Sequence, residues 1–227
     1  FGFPVAKILP GILTPEALAE VLLFLGQKGV RLVFWASDPR DKTSQLAAQR
    51  SQGFLADQKV TYAIDLAKAH PFSTSTAWEC TEYTADDCSE DLEALALQVA
   101  HHSRFGADPR MPVAGYETLY RLWIRNSVAR TVADAVLVVP EDGRIVGMVT
   151  VGVKAGRGFI GLFAVAPGMR GKHIGACLLQ TTQTWFRRKG IRLAQVVTQQ
   201  SNVAACRLYE KGGYAVEKVE HFYHFWL

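Results

Sequence analysis

The stretch that decides the fold is Val165-Ala166-Pro167-Gly168-Met169-Arg170-Gly171-Lys172-His173-Ile174-Gly175-Ala176-Cys177-Leu178-Leu179. An apolar run from Phe159 to Val165 precedes it and predicts a buried strand, and an amphipathic helix is predicted after it. A strand that turns through Arg-Gly-x-x-x-Gly into a helix directs free backbone N–H groups and the positive end of the helix dipole at one point. The sequence therefore predicts an anion site here, suited to a phosphate or pyrophosphate.

The two glycines of this turn explain how a ligand approaches it. Gly171 and Gly175 lack a Cβ, so the backbone can come close to a ligand or adopt a positive φ, and Arg170 and Lys172 add positive charge. An ordinary strand–loop–helix turn without a ligand fits the two glycines alone equally well. The spacing matches neither the dinucleotide-binding pattern G-x-G-x-x-G nor the P-loop, since no Gly-Lys-Ser/Thr follows four variable residues.

A second segment, residues 192–214, has the same strand–turn–helix form. The run Leu193–Thr198 predicts a strand, Ser201 or Asn202 is a candidate N-cap, and Gly212-Gly213 ends a short helix. Tyr209 follows Asn202 by two helical turns, so both side chains are expected on the same side of the helix.

Together the two segments resemble the GNAT superfamily of acyl-CoA-dependent N-acyltransferases. That superfamily carries Arg/Gln-x-x-Gly-x-Gly/Ala after a strand and, later, Asn-x-x-Ala-x-x-x-Tyr-x-x-x-Gly-Phe. The matching residues here are Arg170 to Gly175, Asn202, Ala205, Tyr209 and Gly213-Tyr214. His173 departs from the pattern, because the loop usually has glycine there. Either the turn bends differently, or the imidazole lies against a phosphate, or it faces solvent without a role.

The resemblance implies acetyl-CoA as co-substrate and no metal. It also implies that the 159–165 strand splays from its neighbour and offers main-chain N–H groups around Leu162, Phe163 and Val165 to pantetheine and the thioester carbonyl. Tyr209 is the implied general acid for the thiolate, although a core tyrosine would fit the same position. The implied carrier-binding residues are Leu162, Phe163, Val165, Arg170, Gly171, Lys172, His173, Ile174, Gly175, Ala176, Asn202 and Tyr209.

A closer resemblance involves Phe1-Gly2, Ser103-Arg104-Phe105, the helix 120–128 and the segment 197–202. It is to GNAT enzymes that acetylate the amine of a nucleotide-linked amino-deoxy sugar, of the dTDP-4-amino-4,6-dideoxyhexose type. The implied function is therefore a sugar-nucleotide N-acetyltransferase. Two alternatives remain open: a GNAT enzyme acting on another amine (a protein N-terminus, an aminoglycoside or a small metabolite), and a non-catalytic acyl-CoA-binding module.

The acceptor site is expected at the loop Ser103–Pro112 and the start of the next helix. Arg104 and Arg110 are candidates for the nucleotide diphosphate, because guanidinium groups match phosphate oxygens, and Phe105 for stacking on a base or sugar. A solvated charge is the alternative for each arginine. The sequence does not identify a general base: the candidates in the acceptor-side helices are His101, His102 and Glu117.

The predicted fold class is α/β with a mixed sheet: a GNAT fold with an additional N-terminal α/β half-domain. The half-domain covers residues 1–70, a linker residues 71–77 and the GNAT catalytic domain residues 78–227. The half-domain faintly repeats the catalytic part and is interpreted as a degenerate copy, although a chance likeness is nearly as good an explanation. The last elements are predicted as a helix carrying Tyr209 and two strands, Tyr214–Lys218 and His221–Trp226.

Composition sets the remaining limits. The chain has 227 residues, of which 49% are hydrophobic, and a net charge of +4. It can therefore bury a full core, and the charge is too small to indicate nucleic acid as a partner. No apolar run reaches the length of a membrane span and no signal-peptide pattern opens the chain, so we expect a cytoplasmic protein whose natural start lies before Phe1 or was processed. The four cysteines lack metal spacing and are expected to be packing thiols, and the aromatic C-terminal strand would permit a homodimer.

Overall fold

A computed structural model describes residues 1–9, 11–70, 72 and 77–227, and these residues form one mixed sheet of nine strands with helices on both faces. The strand order is β1-β2-β9-β3-β8-β7-β6-β5-β4. The β1–β2 and β7–β8 pairs are parallel and the others antiparallel. The strands are β1 (Val5–Ile8), β2 (Leu32–Ser37), β3 (Phe54–Asp65), β4 (Thr81–Glu82), β5 (Ala135–Glu141), β6 (Arg144–Lys154), β7 (Arg157–Val165), β8 (Leu193–Gln199) and β9 (Ala215–Trp226).

Seven helices pack on this sheet within the described residues. They are α1 (Pro15–Gln27), α2 (Lys42–Arg50), α3 (Glu90–His101), α4 (Arg104–Ala107), α5 (Val113–Val128), α6 (Ile174–Arg188) and α7 (Val203–Lys211). A single 3-10 turn, Pro167–Met169, lies between β7 and α6. The predicted mixed α/β class is confirmed.

Strand β3 ties the N-terminal region to the rest of the sheet. It pairs with β8 from Lys59 to Asp65 and with β9 from Phe54 to Ala63, so a strand of the first 70 residues lies between two strands of the C-terminal half. The sheet is therefore continuous across the predicted domain boundary. The division at residues 71–77 stays a prediction, since only residues 72 and 77 of the predicted linker are described.

The two faces of the sheet have separate cores. One face packs against α3, α4 and α5, through side chains such as Leu95, Phe105, Ile124 and Leu162. On the other face, α6 and α7 cover the middle of the sheet, and α1 and α2 cover the β2 and β9 end. Ile160, Phe163 and Val165 of β7 pack on the α6–α7 side, and Leu162 and Ala164 pack on the α3–α5 side, so the alternation of the strand shifts between Ile160 and Leu162.

Side-chain caps mark the starts of several helices, and one of them is the predicted candidate Asn202. The Thr14 hydroxyl accepts the N–H of Ala17, the Ser89 hydroxyl that of Leu92, and the Asn202 side chain that of Ala205. The Asp41 carboxylate caps α2 by accepting the N–H groups of Thr43 and Ser44, so this helix begins at Lys42.

Two further element predictions need correction. The loop 103–112 contains the helical turn α4, because the Ser103 hydroxyl caps it by accepting the N–H of Phe105. The last two predicted strands are one strand, β9. Its pairing with β3 continues through Val219 and Glu220 without a break. The register of this pairing shifts between Leu55 and Asp57 and again between Thr61 and Tyr62 of β3.

No helix among the described residues is long and apolar enough to cross a membrane. All four cysteines are free thiols, and Cys177 is buried in α6. Among the described residues, no three metal-ligating side chains gather in one place, and the predicted absence of a metal stays a prediction.

Candidate active site

The central feature of the site is a gap between β7 and β8. These strands, described over their whole length, pair at Gly158–Ala194, Phe159–Gln195 and Ile160–Val196. Beyond Ile160 and Val196 both strands continue, to Val165 and Gln199, without pairing with each other. Two parallel strands that separate in mid-sheet leave main-chain groups without ladder partners on the facing sides.

A β-bulge on the other side of β7 fixes how its amides point. The register with β6 shifts between Val149 and Val151, where Thr150 faces two residues of β7. The buried Thr150 hydroxyl accepts the N–H of Leu162 at 2.8 Å. The predicted role of Leu162 as a main-chain donor to the carrier is therefore wrong, because Thr150 already holds that N–H and the Leu162 side chain is buried on the α3–α5 face.

The next amides along β7 alternate between the two neighbouring strands. The Ala166 N–H donates to Val146 O at 2.9 Å, which fixes the even-numbered residues toward β6. By strand alternation, the N–H groups of Phe163 and Val165 point into the gap. The predicted contact of these two N–H groups with the carrier stays a prediction.

The predicted anion turn lies at the end of β7, beside this gap. Gly171 has φ +79° and His173 has φ +66°, so the loop needs left-handed backbone at both positions. His173 adopts the conformation that glycine would favour, and its exposed side chain makes no capping hydrogen bond. The departure from the family pattern is therefore a change of residue and not a change of turn.

The N-terminus of α6 presents free amides to this turn. The helical ladder starts where the Cys177 N–H donates to His173 O at 3.0 Å. The amides of Ile174, Gly175 and Ala176 precede that bond and point out of the helix end, as the first amides of any helix do. The Cβ that Gly175 lacks would lie 3.3 Å from Leu208 of α7, so glycine also lets α6 and α7 approach.

The side chains of the turn remain near the surface. Arg170 extends back along β7, where its Nε donates to Val165 O at 3.3 Å. Lys172 is exposed, and its carbonyl accepts the Trp78 indole N–H at 2.6 Å, which holds the loop from outside. Both cations lie beside the free amides, as predicted from sequence.

Tyr209 lies on the α6–α7 face, next to the gap. It is 3% exposed and its ring packs edge-on against Phe163 at 6.1 Å between centroids, with Tyr62 at 5.9 Å and Tyr214 at 6.0 Å. Burial raises the pKa of Tyr209 above its ordinary value, and Tyr214 and Cys206 beside it add to the shift. The phenol is therefore protonated at every physiological pH and can donate a hydrogen bond.

The opposite face of the sheet brings a residue that sequence reasoning missed. Asp57 on β3 is 9% exposed and lies at the bulge opposite Phe222, two positions before the ladder with β8 begins at Lys59. Burial raises the pKa of Asp57 to about 6, against the opposing effects of a hydrogen bond from Gln199 and the charges of Arg104 and Lys59. The signal in the sequence was an aspartate directly after three apolar residues, 54–56.

Arg104 lies beside Asp57 in a cage of aromatic rings. Its guanidinium carbon is 4.3 Å from the Phe222 ring centroid, 4.4 Å from that of Phe105 and 5.2 Å from that of Phe34. Burial lowers the pKa of Arg104, while the charges of Tyr120 and Asp57 act in the opposite direction. Arg104 is thus enclosed at the Asp57 end of the site, and its predicted contact with a diphosphate stays a prediction.

The other predicted acceptor residues are held within the protein. Phe105 is 6% exposed and packs on Phe34 and Arg104, so its ring is a core side chain here and not a free stacking surface. Arg110 bonds the buried Asp108 at 3.4 Å and lies over Phe54 and Trp226. Asp108 in turn accepts from Trp226 and lies 2.8 Å from His224 Nδ1, so this cluster anchors the C-terminal strand.

The base candidates named from sequence lie at the surface. His101 Nε2 and Glu117 are 3.5 Å apart, and the His101 ring packs edge-on against Tyr116. His102 is exposed at the end of α3. Asp57 is more deeply buried than any of these three residues.

Comparison with known proteins agrees with this geometry. Residues 99–214, just over half of the chain, match the model of the acetyltransferase (GNAT) family. The chain belongs to that family. The prediction of an acetyl-CoA-dependent acetyltransferase with a GNAT fold is thereby confirmed.

Two relatives and one solved structure illustrate the likeness. The chain is 30% identical over 214 residues to a dTDP-fucosamine acetyltransferase of Escherichia coli O6:H1, covering 93% of this chain and 85% of that one. It is 29% identical over 138 residues to the spore coat polysaccharide biosynthesis protein SpsD of Bacillus subtilis, covering 61% of this chain and 47% of that one. A tandem GNAT protein from the clavulanic acid biosynthesis pathway shares the fold, with a TM-score of 0.61, 13% identity, and coverage of 92% of this chain and 68% of that one.

Proposed function

We propose that this acetyltransferase moves an acetyl group from acetyl-CoA to the amine of a nucleotide-linked amino-deoxy sugar, of the dTDP-4-amino-4,6-dideoxyhexose type. The observation that carries the proposal is the position of the β7–β8 gap. Tyr209 lies on one face of the sheet beside it and Asp57 on the other, and the amides of Phe163 and Val165 point into it. The likeness to dTDP-fucosamine acetyltransferase over nearly the whole chain supports the sugar.

The residues present fit an acyl carrier with a double phosphate. The amides of Ile174, Gly175 and Ala176 are free at a helix N-terminus, and the left-handed backbone at Gly171 and His173 leaves room for close approach. The carrier supplies an acetyl group activated as a thioester. These amides and the nearby Arg170 and Lys172 would hold its phosphates, and Asn202 would cap α7 at the same edge.

Main-chain donors would then polarise the acetyl carbonyl. The N–H groups of Phe163 and Val165 hydrogen-bond an oxygen in the gap, and this bond strengthens as negative charge builds during attack by the amine. The gap is held open by the bulge at Thr150, so the donors need no rearrangement when the charge develops.

Asp57 would take the proton that the sugar amine gives up. With a pKa of about 6 it is mostly ionised at pH 7, so it attracts an ammonium group and accepts its proton, directly or through one water. The positive charge of Arg104 favours the ionised form of this carboxylate. Asp57 thus fills the base position that the sequence left open.

Tyr209 would donate its phenolic proton to the departing thiolate. Its burial between Phe163, Tyr62 and Tyr214 keeps water away and the phenol protonated. Acid and base therefore act from opposite faces of one sheet, with the acetyl group between them.

The test is a screen of coenzyme A release with aminated dTDP- and UDP-sugars, an aminoglycoside and a peptide N-terminus as acceptors. We expect turnover with the dTDP-4-amino sugar to exceed that with the peptide and the aminoglycoside by at least about 100-fold, a difference of about 3 kcal/mol. Preferred turnover of the peptide or the aminoglycoside would reject the proposal. Release with no acceptor above background, despite acetyl-CoA binding, would favour a binding module.

A further inference from the structure

A strip of the α3–α5 face of the sheet near Asp57 reaches solvent at Val197 and Lys218, and we call this strip the groove. Directly opposed residues of antiparallel strands share a face, so the register places the side chains of β8, β3 and β9 in rows there. Val197 in this area is 43% exposed and the Lys218 side chain 55% exposed, so no helix covers them. The rows are Gln199, Lys59 and Glu220, followed by Val197, Thr61 and Lys218.

Two lysines in this groove share a single carboxylate. Lys59 Nζ lies 2.9 Å from one oxygen of Glu220, and Lys218 Nζ lies 2.7 Å from the other. Glu220 is 6% exposed and has no other charge partner among the ion pairs of the described residues. One carboxylate cannot neutralise two ammonium groups, so the groove keeps an excess positive charge on a solvent-facing floor.

Neighbouring acidic groups do not remove this charge. Asp38 lies close enough for Lys218 to lower its pKa, but its main partner is Arg40 at 2.8 Å. The charge of Lys59 also acts on Asp57, but Asp57 lies two residues before Lys59 on β3, opposite Phe222 and beside Arg104. The reaction as derived above uses neither lysine.

The distances along β3 suit an elongated acceptor. Lys59 is two residues from Asp57 on the same face of one strand, a separation of about 7 Å, and Lys218 lies opposite Thr61, about 13 Å from Asp57 along the strand. In a 4-amino hexose joined to a nucleoside diphosphate, the amine and the diphosphate lie at opposite ends of one ring. An amine at Asp57 would therefore place the diphosphate over the lysines.

We propose that Lys59 and Lys218, held by Glu220, bind the diphosphate of the acceptor and so restrict the enzyme to nucleotide-activated sugars. This inference rests on the proposed function above. It assigns the diphosphate to β3 and β9, whereas the sequence pointed to Arg104 and Arg110.

Calorimetry with dTDP, which has the diphosphate but no amine, tests the groove without catalysis. Lys218→Met should weaken dTDP binding about tenfold and raise the KM for the dTDP-amino sugar similarly, with the KM for acetyl-CoA unchanged. Lys154→Met, an equal loss of charge at the exposed β6–β7 turn, is the matched control and should change neither. Glu220→Gln should tighten dTDP binding several-fold, because both lysines lose their partner, and a merely structural role would not produce a gain.

The outcomes separate this inference from the proposed function. No binding of dTDP to the wild type, equal binding by Lys218→Met and Lys154→Met, or weaker binding by Glu220→Gln would each overturn the inference, even if the wild type acetylates the dTDP-amino sugar. Wild-type protein that binds dTDP through the lysines but releases no coenzyme A with that sugar would overturn the proposed function alone.

Discussion

At the scale of single residues, burial of the Asp57 carboxylate lowers the stability of the folded protein. A carboxylate that is 9% exposed carries a raised pKa of about 6, so the folded protein would be more stable with that group neutral. A buried charge that the fold does not need is typical of a functional site.

Asp57→Asn should therefore lower activity and raise stability together. The pKa of Asp57 is higher in the folded protein than in the unfolded chain. Its charged form therefore destabilises the folded state, and this effect is absent below about pH 4 and develops as the pH rises through about 6. At pH 7.5 we expect the free energy of unfolding of the variant to exceed that of the wild type by about 1–3 kcal/mol. We also expect kcat to fall at least about tenfold. Denaturant unfolding at pH 4 and 7.5 measures the first change, with the exposed Asp86→Asn as control.

The same group should shape the pH profile of the wild type. Its kcat/KM is expected to fall on the acid side with an apparent pKa near 6, because protonated Asp57 cannot accept the amine proton. A flat profile down to pH 5, or an Asp57→Asn variant that keeps the same acid limb, would remove Asp57 as the base.

Tyr209 gives a second residue-scale prediction. Tyr209→Phe keeps the ring packing on Phe163 but removes the proton donor, so kcat should fall by roughly one to three orders of magnitude with the KM for acetyl-CoA unchanged. Tyr214→Phe is the control, because its buried hydroxyl has no partner within the described residues and its loss should leave kcat intact. Equal rates for the two variants would show that Tyr209 is a core tyrosine.

At the scale of elements, a bulge in the pairing of β6 with β7 lies where the pairing of β7 with β8 ends. The Thr150 hydroxyl takes the N–H of Leu162 and sets which amides of β7 face the gap. The sequence predicted β7 and the turn into α6, because an apolar run and paired glycines are local signals; the anion bound at that turn stays a prediction. It did not predict the bulge, since a threonine inside an apolar strand carries no local sign of what its hydroxyl bonds.

Thr150→Val should damage both stability and catalysis. Valine preserves the shape but leaves the buried Leu162 N–H without an acceptor, which costs about 1–3 kcal/mol. Loss of that anchor would also let the Phe163 amide turn away from the gap and lower kcat. Urea unfolding and steady-state kinetics measure the two effects, and Thr184→Val on the exposed face of α6 should show neither.

At the scale of the whole molecule, β3 makes the N-terminal region part of the core of the sheet. Val60, Tyr62 and Ile64 face the same core as Tyr209, and the strand pairs on both sides. The sequence predicted the elements of residues 1–70 but interpreted them as a separate half-domain. Pairing between distant strands is set by the whole chain and leaves no local pattern. Sequence reasoning therefore predicted neither the position of β3 between β8 and β9 nor the position of Asp57, which lies on β3.

Residues 78–227 alone should therefore fail to fold cooperatively. Removing β3 leaves β8 and β9 without the strand between them and exposes the side of the core that holds Tyr209. Thermal unfolding followed by near-ultraviolet circular dichroism compares the fragment with the full chain. A fragment that melts cooperatively and binds coenzyme A would instead establish an independent catalytic domain.

The most direct measurement of the central claim compares two acceptor sugars that differ only in the substituent at position 4. Coenzyme A release is followed with dTDP-4-amino-4,6-dideoxygalactose and with dTDP-6-deoxygalactose, which carries a hydroxyl at position 4. The account predicts rapid release with the amine and only background release with the alcohol, because Asp57 and the amides in the gap serve an amine that attacks a thioester. Equal background rates with both sugars, from protein that binds acetyl-CoA, would contradict it.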